Sequence, residues 1–141
     1  MDFILENLAI GNYREALAPA SDINALLCVA KEHDIYDTKC KYYKVPIVDM
    51  QPIPTEQLKD AIVWLRSNMG DMRIMVFCNA GIGRSPSVVV AFLCCVLGYS
   101  FGEAVEYVAI RRPYMSILPN LIKTIEETKV HLEQYRTRSE L

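Results

Sequence analysis

The chain has 141 residues, of which 52% are apolar and 23% are charged. This length and apolar content are typical of one globular domain, so we expect residues 1–141 to form a single domain. The formal net charge of −2 gives no general attraction for polyanions. It argues against a nucleic-acid-binding protein and against a protein that binds anionic membranes.

Cysteine usage and the N-terminus indicate the compartment. The five cysteines are an odd number and contain no CxxC pair, and both histidines lie far from any cysteine pair, so we expect free thiols, no metal and no cofactor. Residues 1–10 lack the basic flank of a signal peptide, and the longest apolar run, residues 88–97, is too short to span a bilayer. We therefore expect a soluble protein, with the cytoplasm as its default location.

Short apolar runs in the first third of the chain have the length of β-strands and end at residues that break strands. They cover residues 3–5, 8–10, 25–29 and 42–45. Between the second and the third run, Tyr13–Leu17 is predicted to form a short helix.

A one-sided apolar stripe at helical spacing predicts a helix over residues 55–69, with Thr55 as its N-cap and Gly70 as its stop. Ile74–Phe77 follows as a wholly apolar strand of the kind buried in parallel sheets. The next helix should start at Ser85-Pro86 and is apolar all round, so we expect it inside the protein.

Two further helices are predicted after Gly98. Ser100 and Glu103 form a capping box at the start of one, and the other begins at about Ile117. Strands in the first half, followed by helices around one central strand, predict an α/β fold. Its sheet should be central, mixed and mostly parallel, with helices flanking it.

The turn between the buried strand and the buried helix reads Cys-Asn-Ala-Gly-Ile-Gly-Arg-Ser over residues 78–85. Backbone amides in such a turn can form a nest for an anion, and the following helix N-terminus adds positive charge. The two glycines permit backbone conformations that a side chain would forbid. We predict that a phosphate binds to Asn79, Ala80, Gly81, Ile82, Gly83 and Arg84.

Cys78 and Arg84 are the candidate catalytic pair of this turn. A cysteine at a helix N-terminus and near a cation is favoured as thiolate, which is the nucleophilic form. The planar guanidinium of Arg84 can bind two phosphate oxygens at once. A lone cysteine is usually structural and an arginine usually a surface charge, but C-x5-R-S between strand and helix favours catalysis.

The C-x5-R-S segment resembles the signature loop of the cysteine-based protein tyrosine phosphatase superfamily. Residues 45–49, Val-Pro-Ile-Val-Asp, look like the general-acid segment of dual-specificity phosphatases, and Asp49 precedes Cys78 by 29 residues. Residues 4–11 and 98–113 also resemble segments of that family. The resemblance covers nearly the whole chain and implies a dual-specificity phosphatase-like fold.

The resemblance also implies a two-step reaction without metal or cofactor. Cys78 would attack phosphorus and form a thiophosphate intermediate, while Asp49 would protonate the leaving oxygen and then activate water. Ser85 would donate a hydrogen bond to the sulfur. Two plainer interpretations stay open, with Asp49 as a turn residue and Ser85 as an N-cap.

Phe77 departs from the family pattern, because the residue before the nucleophile is normally a histidine that helps to stabilise the thiolate. A phosphate-binding pseudo-phosphatase with weak or no catalysis is therefore a second hypothesis. Retention of Cys78, Arg84, Ser85 and Asp49 together favours an enzyme.

The substrate class is inferred from what the loop lacks. Relatives that act on phosphoinositides place lysine in the loop, and RNA 5′-triphosphatases of this fold tend to be basic. Residues 79–83 contain no basic residue, and the net charge is −2. The best hypothesis is therefore a protein substrate phosphorylated on Tyr, Ser or Thr, and small phosphomonoesters are the second candidate. The sequence does not indicate the oligomeric state.

Three other polar residues have structural interpretations. Arg111 and Arg112 are predicted to be the solvated end of a helix, with contact to acidic phosphopeptides as the alternative. Asn120, after Pro119, is interpreted as support for the loop or as a plain N-cap.

Overall fold

A five-stranded sheet forms the centre of the computed structural model, which describes residues 1–140, with side chains for residues 1–134. The strands are β1 Asp2–Leu5, β2 Leu8–Gly11, β3 Ala25–Cys28, β4 Lys41–Lys44 and β5 Ile74–Phe77. Their order in the sheet is β1-β2-β5-β3-β4. The β1–β2 pair is antiparallel and the other three neighbouring pairs are parallel, which confirms the predicted mixed, mostly parallel sheet.

Five helices occur within residues 1–140, and the structure confirms each in type. They are α1 Tyr13–Leu17, α2 Thr55–Asn68, α3 Arg84–Cys95, α4 Phe101–Arg111 and α5 Leu121–Glu140. The predicted start of the last helix at Ile117 is wrong by four residues. Pro119 disfavours helical backbone in the residue before it, and Asn120 has a φ of 61°, so the helix begins only after both.

The helix starts differ from the predicted caps in two places. Pro54, not Thr55, is the N-cap of α2, and the Thr55 hydroxyl donates instead to the Glu127 carboxylate at 2.9 Å. Gly83 is the N-cap of α3, so that helix begins one residue before Ser85. The predicted capping box at the start of α4 is confirmed by both of its hydrogen bonds.

The central strand and α3 form the core that carries the loop between them. All four residues of β5 are buried, and β5 pairs with β2 on one side and β3 on the other. Every residue of α3 from Arg84 to Cys94 is buried, as the apolar sequence predicts. Because β2, β3 and β5 are parallel, the segments that follow them meet at one edge of the sheet.

Within residues 1–140, no helix is both long enough and apolar enough to span a membrane.

Candidate active site

Cys78 directly follows β5 and lies at the bottom of the turn that enters α3, where its side chain is 3% exposed. Its Sγ is 3.2 Å from the hydroxyl of Ser85. Ser85 is the second residue of α3 and Gly83 is the N-cap, so the N-cap interpretation of Ser85 is wrong. The hydroxyl is free of that role and lies where it can donate to the sulfur.

A pocket of about 440 Å³ opens above this turn. Of the residues proposed from sequence, those that line it are Asp49, Cys78, Asn79, Ala80, Ile82, Gly83 and Arg84. Gly81 and Ser85 do not line it. Ser85 lies beneath the sulfur, and Gly81 lies against the backbone of Gly11. The fold thus brings the candidate nucleophile, arginine and acid to one cavity.

Arg84 is almost completely buried, and its terminal nitrogens are occupied by protein groups. Nη1 and Nη2 donate to the two carboxylate oxygens of Glu32 at 2.6 and 2.5 Å, and Nη1 also donates to the carbonyl of Ile47 at 3.1 Å. Among the described side chains and backbone, Nε has no hydrogen-bond partner. The guanidinium of Arg84 is predicted from sequence to bind two phosphate oxygens, but in the structure Glu32 occupies both of its terminal nitrogens.

The pair of Glu32 and Arg84 is electrostatically strong. Hydrogen bonds from Arg84 lower the pKa of Glu32 from its ordinary 4.5 to about 2, and those same bonds raise the pKa of Arg84. Glu32 is not identifiable from the sequence, because the residues around it form no motif. The one available signal is that it follows β3, a parallel neighbour of β5, so both segments reach the same sheet edge.

Asp49 lies at the pocket on the loop after Ile47, with 54% of its side chain exposed. Its Oδ1 accepts a hydrogen bond from the amide of Met50 at 2.9 Å and is 3.6 Å from Nε of Arg84. Met50 has a φ of 61°, which is the left-handed backbone conformation of a turn, so Asp49 does lie in a turn. The turn interpretation of Asp49 and its position at the pocket therefore coexist.

Arg112 supports the signature loop from behind, so its interpretation as a solvated helix end is wrong. It is 2% exposed, and its Nε donates to the carbonyl of Gly81 at 2.6 Å. Its Nη1 donates to Asp2 at 2.7 Å and to the carbonyl of Ile10 at 3.3 Å. Only Arg111 stays exposed, stacked on the ring of Tyr107.

The signature loop is held by two more contacts, neither of which was predicted from the sequence. The hydroxyl of Ser87 donates to the carbonyl of Gly83 at 2.7 Å and accepts from the amide of Leu118 at 2.9 Å. At the start of the loop, Nε2 of His33 lies 2.8 Å from Oδ1 of Asn79. The ring of His33 stacks on Tyr13 with 3.8 Å between centroids, so the contacts reach the loop at both Asn79 and Gly83.

Three other cysteines, Cys28, Cys94 and Cys95, lie outside the pocket. Burial raises the pKa of Cys28 and Cys94, and raises that of Cys95 to about 12. Among the side chains that the structure describes, no three or more His, Cys, Asp or Glu residues form a cluster that could hold a metal ion.

Gly81→Ala should disrupt the loop. Gly81 has a φ of 70°, and an added Cβ would lie 2.5 Å from Nη2 of Arg112 and 2.6 Å from the carbonyl oxygen of Gly11. We expect the free energy of unfolding to fall by about 2 kcal/mol or more, because the left-handed backbone alone costs about 1–2 kcal/mol in any residue with a Cβ. Urea denaturation measures this loss.

Gly102→Ala is the matched control, because nothing lies within 4 Å of its added Cβ and Gly102 is in α4. This change should leave stability equal or raise it by up to about 1 kcal/mol. Equal unfolding midpoints for the two variants would contradict the account of the loop.

Glu32→Gln should destabilise the protein in a pH-dependent way. Because the pKa of Glu32 is lowered, its ionised form stabilises the fold above pH 4.5, and this benefit disappears as the pH falls towards 2. The full shift corresponds to about 3 kcal/mol, but the carboxylate is 49% exposed, so we expect about 1–2 kcal/mol at pH 7 after solvent screening.

Denaturation of wild type and the Glu32→Gln variant at pH 7 and pH 3 measures the difference between their free energies of unfolding. This difference should be smaller at pH 3. An equal difference at the two pH values would contradict a stabilising ion pair between Glu32 and Arg84. Glu106→Gln is the control, since that exposed residue lies on α4 away from Arg84 and should change stability little at either pH.

The chain is similar in sequence to known phosphatases. Residues 10–130 match the family model described as dual specificity phosphatase, catalytic domain. Mouse dual specificity protein phosphatase 15 is 23% identical over 133 residues, which cover 90% of this chain and 57% of that protein. Protein-tyrosine-phosphatase IBR5 of Arabidopsis thaliana is 38% identical over 72 residues, 50% of this chain and 28% of that protein.

The fold is also shared with solved structures. The crystal structure of human DUSP28 superposes with a TM-score of 0.79 at 18% identity, and covers 96% of this chain and 99% of that one. The chain spans little more than half the length of mouse dual specificity protein phosphatase 15. Because the family model matches most of the chain, the protein belongs to the dual-specificity phosphatases of the cysteine-based protein tyrosine phosphatase superfamily.

Proposed function

We propose that this chain dephosphorylates proteins at phosphotyrosine and at phosphoserine or phosphothreonine, through a thiophosphate intermediate on Cys78. We further propose that residues 1–141 act as a single catalytic domain. The observation that carries the proposal is the sulfur of Cys78, 3.2 Å from the Ser85 hydroxyl, in the same pocket as buried Arg84.

In the first step, the Cys78 thiolate attacks phosphorus and the bond between phosphorus and the leaving oxygen breaks. Backbone amides of residues 79–83 and the buried guanidinium of Arg84 stabilise the charge on the three equatorial oxygens. Asp49 donates a proton to the leaving oxygen. Its position at the pocket, with 54% of its side chain exposed, supports this role, since the leaving group must face away from the sulfur.

In the second step, water attacks the phosphorus and the bond between sulfur and phosphorus breaks, which releases phosphate and regenerates the thiolate. Asp49, now ionised, accepts a proton from that water. Ser85 donates a hydrogen bond to the sulfur as negative charge returns to it, and so makes it a better leaving group. No step requires a metal, because the amides and Arg84 supply the positive charge.

Glu32 acts as a positioning residue in this scheme. It holds the terminal nitrogens of Arg84 by two hydrogen bonds. Nε forms an ion pair with Asp49 at 3.6 Å but has no hydrogen-bond partner among the described residues. We infer that Nε of Arg84 is the first of its nitrogens to meet a phosphate oxygen. A guanidinium fixed in this way loses little side-chain entropy when phosphate binds.

The charge around the pocket supports a protein substrate. The charged residues that line it are Asp49 and Arg84, with no lysine among the lining residues. A polyphosphorylated headgroup or an RNA 5′ end would carry more negative charge than this pocket can neutralise. A single phosphate on a protein side chain matches the one buried arginine.

Cys78→Ser should abolish turnover of p-nitrophenyl phosphate, with a loss of about 10³-fold or more, because the serine hydroxyl is a much weaker nucleophile than a thiolate. Wild-type turnover should survive a metal chelator. Phosphate release in both proteins, measured over pH 5 to 8, tests this.

Cys95→Ser is the control, since Cys95 is a half-buried thiol outside the pocket. It should keep wild-type turnover. If wild type binds phosphate or vanadate without any turnover, the catalytic proposal fails and the pseudo-phosphatase hypothesis replaces it.

A further inference from the structure

Exposed apolar side chains gather at the mouth of the catalytic pocket. Met50, Ile82 and Ile117 line the pocket and are 82%, 41% and 38% exposed. Scattered apolar residues are normal on a protein surface, but several around one cavity indicate a surface that contacts another molecule. The rim of the pocket is therefore apolar on the side of these three residues.

A second cavity continues this surface. The flanking groove, as we name it, has a volume of about 560 Å³, and its lining includes Phe101, Ile117, Leu118, Pro119, Ile122 and Lys123. Residues 117–119 line both the groove and the catalytic pocket, so the two cavities adjoin. Ile122 is 56% exposed in the first turn of α5.

The wall between the pocket and the groove is fixed to the signature loop. The amide of Ser116 donates to the carbonyl of Ile82 at 2.7 Å, and the amide of Leu118 donates to the hydroxyl of Ser87 at 2.9 Å. Ser87 in turn donates to the carbonyl of Gly83. The groove therefore has a defined position relative to Cys78 and loses little entropy when it is filled.

The charge of the groove selects the kind of side chain that it can hold. Lys123 is the one charged residue among those that line it, and six of the eight lining residues are apolar. An acidic substrate residue would leave water for a mostly apolar wall, whereas an apolar residue would gain from the same burial. The groove therefore complements an apolar side chain.

We propose that the flanking groove binds an apolar side chain of the substrate protein, a few residues from the phosphorylated one, and so selects phosphosites with an apolar neighbour. The inference rests on the proposed function, because the phosphorylated residue must occupy the pocket beside Cys78. A substrate segment that enters this pocket and passes over residues 117–119 brings its next side chains onto the groove.

Phosphotyrosine peptides that differ at one position test the proposal. Each of the three positions on either side of the phosphotyrosine is changed in turn to Leu or to Glu, and phosphate release gives kcat/KM. We expect Leu to be favoured over Glu by about tenfold at one position or more, the size expected for partial burial of one apolar side chain.

Two variants of Ile122 assign that preference to the groove. Ile122→Glu should reduce the ratio of kcat/KM for the Leu and Glu peptides to near one, and Ile122→Lys should turn it in favour of Glu. Val130→Glu and Val130→Lys are the matched controls, because Val130 is 51% exposed on the same helix but outside the groove. These two should keep the wild-type ratio.

Turnover of p-nitrophenyl phosphate separates the two proposals, since this substrate has no neighbouring residues. If it is hydrolysed and no peptide position prefers Leu, or if Ile122→Glu keeps the wild-type ratio, the groove assignment is wrong and the proposed function stands. If it is not hydrolysed, both fail. A wild type that sediments as a dimer and an Ile122→Glu variant that sediments as a monomer would assign the groove to a second copy of the chain.

Discussion

The buried guanidinium of Arg84 is the constraint on which the site depends. A charge removed from water needs an opposite charge and hydrogen bonds, and removal of its partner is strongly destabilising because the buried charge is then unpaired. Glu32 supplies both through two short hydrogen bonds, and the carbonyl of Ile47 supplies a third. These contacts join α3 to the segments after β3 and β4, and the second of these segments carries Asp49 to the pocket.

The same arrangement keeps the loop ready to bind an anion. Arg112 is a second buried arginine, and it holds the carbonyl of Gly81 from the side opposite the pocket. Ser87 holds the carbonyl of Gly83. When backbone carbonyls are bound from behind, the amides of the loop are left to face a ligand, and little reorganisation is needed when phosphate arrives. The apolar core of β5 and α3 provides the rigid frame.

Local patterns in the sequence were sufficient for the fold. The wholly apolar segments Ile74–Phe77 and residues 88–97 predict a buried strand and a buried helix because burial on all sides leaves no polar face. The turn between them identifies the candidate site because its cysteine, glycines and arginine are adjacent in the chain. The predicted start of α5 is too early, because the apolar residues Ile117 and Leu118, which precede Pro119, belong to a loop and not to the helix.

The residues whose roles at the site the sequence did not reveal act over long separations. Glu32 is 52 positions from Arg84, and Arg112 is 31 positions from Gly81. Neither belongs to a periodic or short-range pattern. Glu32 reaches the site because parallel strands β3 and β5 end side by side, and Arg112 reaches it because the end of α4 lies against the loop. Arg112 in particular follows a helix end, where an arginine is commonly solvated, and its burial depends on Asp2 at the other end of the chain.

The most direct test of the central claim is to trap the phosphoryl group on the enzyme. In Asp49→Asn, p-nitrophenyl phosphate should still react with Cys78, because its leaving group needs little protonation, while hydrolysis of the intermediate should be slow. Rapid acid quenching and peptide mass spectrometry should then find one phosphoryl group on Cys78. A phosphoryl group on another residue, or steady turnover in the variant with none on the protein, would contradict the account.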